Sequence, residues 1–261
     1  MDARTAAVST RSKRTRRHFA NPTQFLRLSG KILPWLLWSG GLLTVVGIVW
    51  GAFFAPDDWQ QGDMVRIMYV HVPFAWLASA GYFCLAMCSL ASLVWRHPLA
   101  DLAAVEIGPV GAGFTAVCLA TGSLWGKPEW GAWWVWDARL TSVFILFLLY
   151  LGHIALVRAF DDPARGYRAG SILALIGVIN LPIIKFSVDW WNTLHQPASI
   201  GLFGAPTIAS SMLWPLFFSA LGFTLLFSGI VVARTRAAIM ERRIRSLLNA
   251  QVSSMGEESL S

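Results

Sequence analysis

The sequence predicts an all-α polytopic membrane protein with six transmembrane helices, and three observations carry that prediction. Apolar residues make up 56% of the chain and charged residues 13%, with a mean hydropathy of +0.55. A soluble domain cannot hide that much apolar surface, so lipid is the solvent for most of it. Six apolar runs occur, each near the roughly 20 residues that a helix needs to cross a hydrocarbon layer of about 30 Å. Lys and Arg then sort by side. With both tails on one face, seventeen lie on the tail side and four, Arg66, Lys127, Arg139 and Lys185, on the other. This asymmetry puts both tails in the cytoplasm or matrix. It also gives the net charge of +7 a topological cause, so no nucleic-acid partner is expected, only membrane lipid.

Residues 1–32 form a basic cytoplasmic tail with no apolar period long enough to pack. Its acid-poor, Ser/Thr-containing start resembles an organellar transit peptide, which keeps a mitochondrial inner membrane as a second location beside the bacterial one. The first run, 33–55, is too long for a signal-peptide core and reads as span one. Spans two to six follow at 71–95, 103–124, 140–160, 169–187 and 212–233. Residues 33–233 therefore make one six-helix domain with outer loops at 56–70, 125–139 and 188–211. Residues 234–261 are a second basic tail, read as an amphipathic helix with a disordered end. Gly108, Pro109, Gly111 and Gly113 in span three, with Pro182 and Pro215 later, signal close helix packing and tolerated kinks. Glu106 falls near the cytoplasmic end of its span, where a charge costs little, so no proton relay is assigned to it. Cys84, Cys88 and Cys118 all lie inside apolar runs and read as small core residues, not as a disulfide or metal framework.

The outer loops hold the unusual chemistry. WGKPEWGAWWVWDARLT places Trp125, Trp130, Trp133, Trp134 and Trp136 ahead of Asp137 and Arg139. A Gly-Lys-Pro break is expected at 126–128. Helix after Pro128 would then set Trp130, Trp133, Trp134 and Asp137 on one side, an indole shelf with an acid at its edge, while Trp136 turns away. Such a shelf suits a flat apolar ligand; an interfacial aromatic belt accounts for each Trp singly. Asp137 is also placed to cap span four.

Of five histidines, His18 and His97 belong to cytoplasmic segments and His153 lies deep in span four, toward the cytoplasmic third. His71 and His195 both fall on the outer face. Two imidazoles there can supply both axial ligands of a haem iron while indoles pack on the macrocycle. Haem propionates call for cations, for which Arg66, Arg139 and Lys127 are the nearest candidates. Lys185 and Asp189, four apart, are placed to pair with each other.

WGKPEWGAWWVWDARLT resembles the tryptophan-rich WWD signature of the haem-handling proteins of cytochrome c maturation. The flanking QQGDMVRIMYVHVPFAW and KFSVDWWNTLHQPASI are similar to those of the CcmC type, the haem exporter protein C family, and the likeness extends over all six spans. The resemblance implies haem b held transiently on the periplasmic face with His71 and His195 as axial ligands. It makes Trp125, Trp130, Trp133, Trp134, Trp136 and Asp137 the haem and chaperone surface. It further implies delivery to a CcmE-type haem chaperone, in company with a CcmA/CcmB ABC transporter and a CcmD-type small membrane protein. No enzymatic activity is expected, and with no GxxxxGK[ST] in the chain, ATP hydrolysis would come from elsewhere. The competing reading is a bis-His haem redox subunit of a membrane electron-transfer complex, which calls for histidines paired in both halves of the bilayer. A pore for haem through the bundle would need polar lining at mid-depth, where Asn180 is one of few candidates.

Overall fold

The computed structural model describes residues 21–196, 199 and 206–258, side chains of 256–258 excepted. The first twenty residues of the basic tail, most of 197–205 in the third outer loop, and the last three residues lie outside that description. The regular elements of the described chain are all helices: α1 (Pro22–Phe53), a 3-10 turn (Asp63–Ile67), α2 (Met68–Trp95), α3 (Pro98–Trp130), α4 (Ala138–Arg158), α5 (Pro163–Gly177), α6 (Asn180–Trp190) and α7 (Ser210–Glu258). Among the described residues six helices are long and apolar enough to cross a membrane, α5 and α6 together making the fifth.

Three boundaries differ from the sequence reading, each for a local reason. α1 begins at Pro22, so residues 22–32 are not an unpacked tail. Asn21 caps the helix by accepting the Thr23 amide at 2.9 Å, and Pro22 is preset for the first turn. Arg236 of α7 then ties it down, donating to the Leu26 carbonyl and, at 2.7 Å, to Ser29 Oγ. At the other terminus, span six and the basic amphipathic segment form one unbroken helix of 49 residues. In span five, Pro182 has no amide for the Val178 carbonyl, which takes the Leu181 amide at 3.0 Å instead, and the helix breaks between Gly177 and Asn180.

The bundle is closed by small residues against aromatics. Tyr82 and Tyr150 cross edge to face at 5.0 Å in the core, and Tyr150 donates to the Ala78 carbonyl at 2.9 Å. Gly111 of α3 lies flat against the Tyr150 ring, leaving no room for a Cβ. α1 packs almost wholly on α7, where a Cβ at Gly47 would run into Ser219 and one at Gly222 into Thr44. Gly108 and Gly111 of span three, and others not singled out in spans one and six, thus serve the van der Waals contact that holds helices together in lipid, whereas Gly113, expected to do the same, faces open space. Asn180 is no pore lining: its amide is buried and donates to the Ser142 carbonyl at 2.8 Å. Glu106 pairs with Arg234 at 2.9 Å, joining α3 to α7 at one end of the bundle. The opposite end, where α3 stops and α2, α4 and α7 start, carries the tryptophans and two histidines.

Candidate functional site

His71 stands on the second turn of α2. Pro73 just beyond it leaves the Tyr69 carbonyl without its helical partner, and the Ser219 hydroxyl of α7 donates to that carbonyl instead. The imidazole faces α3, with Nδ1 3.0 Å from Thr121 Oγ1 and Gly122 beside the ring. The Thr121 hydroxyl donates its own hydrogen to the Val117 carbonyl at 2.8 Å, so toward His71 it accepts. Nδ1 therefore carries the proton and Nε2 the lone pair.

His195 reaches the same end from the segment after α6. Its amide is held by Thr193 Oγ1 at 3.1 Å, and its Nδ1 lies 2.8 Å from the Gln196 carbonyl. A carbonyl only accepts, so Nδ1 is again the donor and Nε2 again the lone pair. The Arg139 guanidinium, 3.4 Å from the same Nδ1, is then a neighbouring charge and not a donor to it. Burial holds the His195 pKa below its ordinary value; the Gln196 carbonyl pulls upward, Arg139 downward and Asp137 upward. The neutral imidazole is thus the form present at neutral pH. Neither Nε2 takes part in a hydrogen bond among the described residues.

Indoles of one helix flank both rings. Trp125 meets His71 edge-on at 5.7 Å, and Trp130 lies 6.4 Å from His195. α3 runs through Gly126, Lys127 and Pro128 without a break and ends at Gly131, whose φ of 74° suits glycine and lets its amide close on the Lys127 carbonyl at 3.1 Å. The expected helical shelf after Pro128 is therefore absent. Residues 131–137 instead form an irregular strap, fastened to α3 where Ser123 donates to the Trp133 carbonyl at 2.6 Å. Lys127 donates to the Gly131 carbonyl at 3.0 Å and sits over the Trp133 ring. Trp134 turns inward against Phe144, with Trp136 edge-on to it at 5.5 Å, while Trp136 is itself 75% exposed.

Asp137 ends the strap and caps α4, accepting the Leu140 amide at 2.7 Å as expected. Its second oxygen is buried without a partner, as are the indole nitrogens of Trp125 and Trp134. A cleft of about 250 Å³ opens between Val135, Trp136 and Asp137 on one side and Asn192, Thr193 and Leu194 on the other. Arg139 bridges to the last turn of α6, donating to Ser187 Oγ at 3.1 Å and to the Ile184 and Lys185 carbonyls at 3.3 Å, where the helix end favours a cation. Arg66 is already engaged: Asp57 accepts from it at 2.7 Å and Asp63 lies 3.7 Å away. No Lys185–Asp189 ion pair forms among the described residues. His153 is buried on the other half of the bundle, its Nδ1 on the Gly170 carbonyl at 3.0 Å.

A family model described as CcmC, "Heme exporter protein C", matches residues 15–250. The chain belongs to the CcmC family. Curated relatives with the same printed description include one from Bradyrhizobium diazoefficiens, 55% identical over 92% of this chain and 91% of its own length. Another, from Escherichia coli strain K12, is 46% identical over 88% of this chain and 94% of its own. One from Rhodobacter capsulatus is 39% identical over 88% and 95%. The likeness to the CcmC family thus extends over most of the chain. Thr121, Ser123 and Ser187, which orient the site's histidine, strap and arginine, were not singled out from sequence. The available signal was spacing: Thr121 sits four residues before Trp125, on the same helical face.

Proposed function

We propose that this membrane protein binds haem b as cargo between His71 and His195 and hands it to a CcmE-type haem chaperone during cytochrome c maturation. In this reading the Trp-bearing end faces the periplasm across a bacterial inner membrane, and a CcmA/CcmB ABC transporter and a CcmD-type small protein complete the assembly. One observation carries the reading: two imidazoles from separate elements stand beside indoles at the end of one helix, Trp125 and Trp130, each with Nδ1 donating to a protein oxygen and Nε2 left for iron. The surroundings fit a porphyrin. Trp125 and Trp130 supply apolar edges beside the two rings, Arg139 is the cation at His195, and the unpartnered Asp137 oxygen and Trp nitrogens await polar groups from cargo or chaperone. Arg66 serves by holding the 57–66 loop in shape through Asp57 and Asp63. The exposed indoles of Trp133 and Trp136 offer the chaperone a surface beside the cleft.

The test is the optical spectrum and haem content of the purified protein made in cells without the chaperone. Wild type is expected to retain six-coordinate low-spin haem, which His71→Ala and His195→Ala lose or shift while His153→Ala keeps it. Equal loss in all three, or haem indifferent to the first two, overturns the ligand pair. The double variant Trp134→Ala/Trp136→Ala should keep haem yet pass less of it to the chaperone; unchanged delivery would reduce the strap to an interfacial belt.

A further inference from the structure

α7 outlasts the bundle. Its 49 residues at 1.5 Å each span about 74 Å, more than twice the hydrocarbon thickness. Ile239 is its last buried side chain, packed with Leu99 and Leu102 of α3. Arg242 on Tyr167 and Arg243 on Thr23 are its last bonds to other elements. Beyond them Ile244, Leu247, Leu248, Val252 and Met255 are all more than half exposed. Their spacing at i, i+3, i+4, i+8 and i+11 puts them on one face, which nothing in the described chain covers. Arg243 and Arg245 border this stripe on its two edges, at the end nearer the bundle.

We propose that this face docks a water-soluble partner protein through an apolar groove rimmed by carboxylates. Three other occupants fit worse. The lipid surface would require the helix to bend sharply, yet no Gly or Pro interrupts it between Ala233 and Met255. A second copy would set Arg243 and Arg245 against their own kind, and the stripe lacks the sustained heptad of a coiled coil. The chain's own residues 1–20 are as basic as the helix they would meet. A helix laid in a groove by anchors at these intervals is a known mode of recognition, with edge charges choosing the partner.

A photo-crosslinking residue is placed at Leu248, on the stripe, and separately at Ser246, on the opposite face, in the full chain in its native membranes. Adducts are identified by mass spectrometry. The expected result is one soluble-protein adduct from position 248 only, mapping to an apolar segment flanked by Asp or Glu. Its yield should fall at least about tenfold in Arg243→Glu/Arg245→Glu and survive in the Lys double variant. Adducts to lipid, to a second copy or to residues 1–20, equal labelling from both positions, or indifference to charge reversal each overturn the proposal.

Discussion

At the scale of single residues, the proposed haem ligation depends on which ring nitrogen holds the proton. Thr121 fixes that for His71, because its hydroxyl hydrogen is spent on Val117 and only its lone pair faces Nδ1. Outer-shell partners of this kind typically contribute 10- to 100-fold to metal affinity. Thr121→Val keeps the shape and removes the acceptor, so haem affinity should fall by roughly that factor while Thr121→Ser stays near wild type. Titration of haem into the apo-protein measures it. Equal affinity in all three would leave Thr121 as packing alone. His71, His195 and Asp137 were visible in the sequence through their residue types and their place on one face. Thr121 and Ser187 were not, since a hydroxyl in an apolar helix is silent until its neighbour across the helix gap is known. Arg66 was legible as a cation but not as one engaged by Asp57 and Asp63, for the same reason.

At the scale of elements, the α1–α7 seam shows how glycines hold helices together when lipid removes the hydrophobic drive between them. A Cβ at Gly47 would meet the backbone of Ser219 and the Pro215 carbonyl, while one at Gly41 meets nothing within 4 Å. Gly47→Val should therefore destabilise the fold by about 1–3 kcal/mol, the usual range for overpacking a tight contact. Gly41→Ala should be neutral or stabilise by up to about 1 kcal/mol through helix propensity. Reversible unfolding in mixed micelles compares them, and matching losses would mean that α1 tolerates displacement. The six helices were legible because hydropathy over about 20 residues survives any error in detail. Their ends were not. Asn21-Pro22 and the continuous basic stretch of α7 extend helices by local chemistry that hydropathy ignores. Gly131, not the Gly-Lys-Pro triplet, stops α3, because Pro128 lacks only one amide while a left-handed C-cap closes the helix outright.

At the scale of the whole molecule, every functional assignment rests on which end of the bundle faces out. The charge asymmetry and the even number of spans put Trp59, Trp136, His71 and His195 on one side and α7's extension on the other. The structure supplies a reporter at each end: Trp59 is 91% exposed at the tip of the 58–62 turn, and Leu247 stands free on α7. Cys84, Cys88 and Cys118 all lie within spanning helices, beyond the reach of a charged maleimide, so the unaltered protein provides the blank. In spheroplasts, Trp59→Cys should label with the impermeant reagent and Leu247→Cys only after permeabilisation. The converse pattern would invert the molecule. It would move both histidines to the cytoplasm, and it would end the periplasmic hand-off and the soluble docking partner together, since one orientation underlies both.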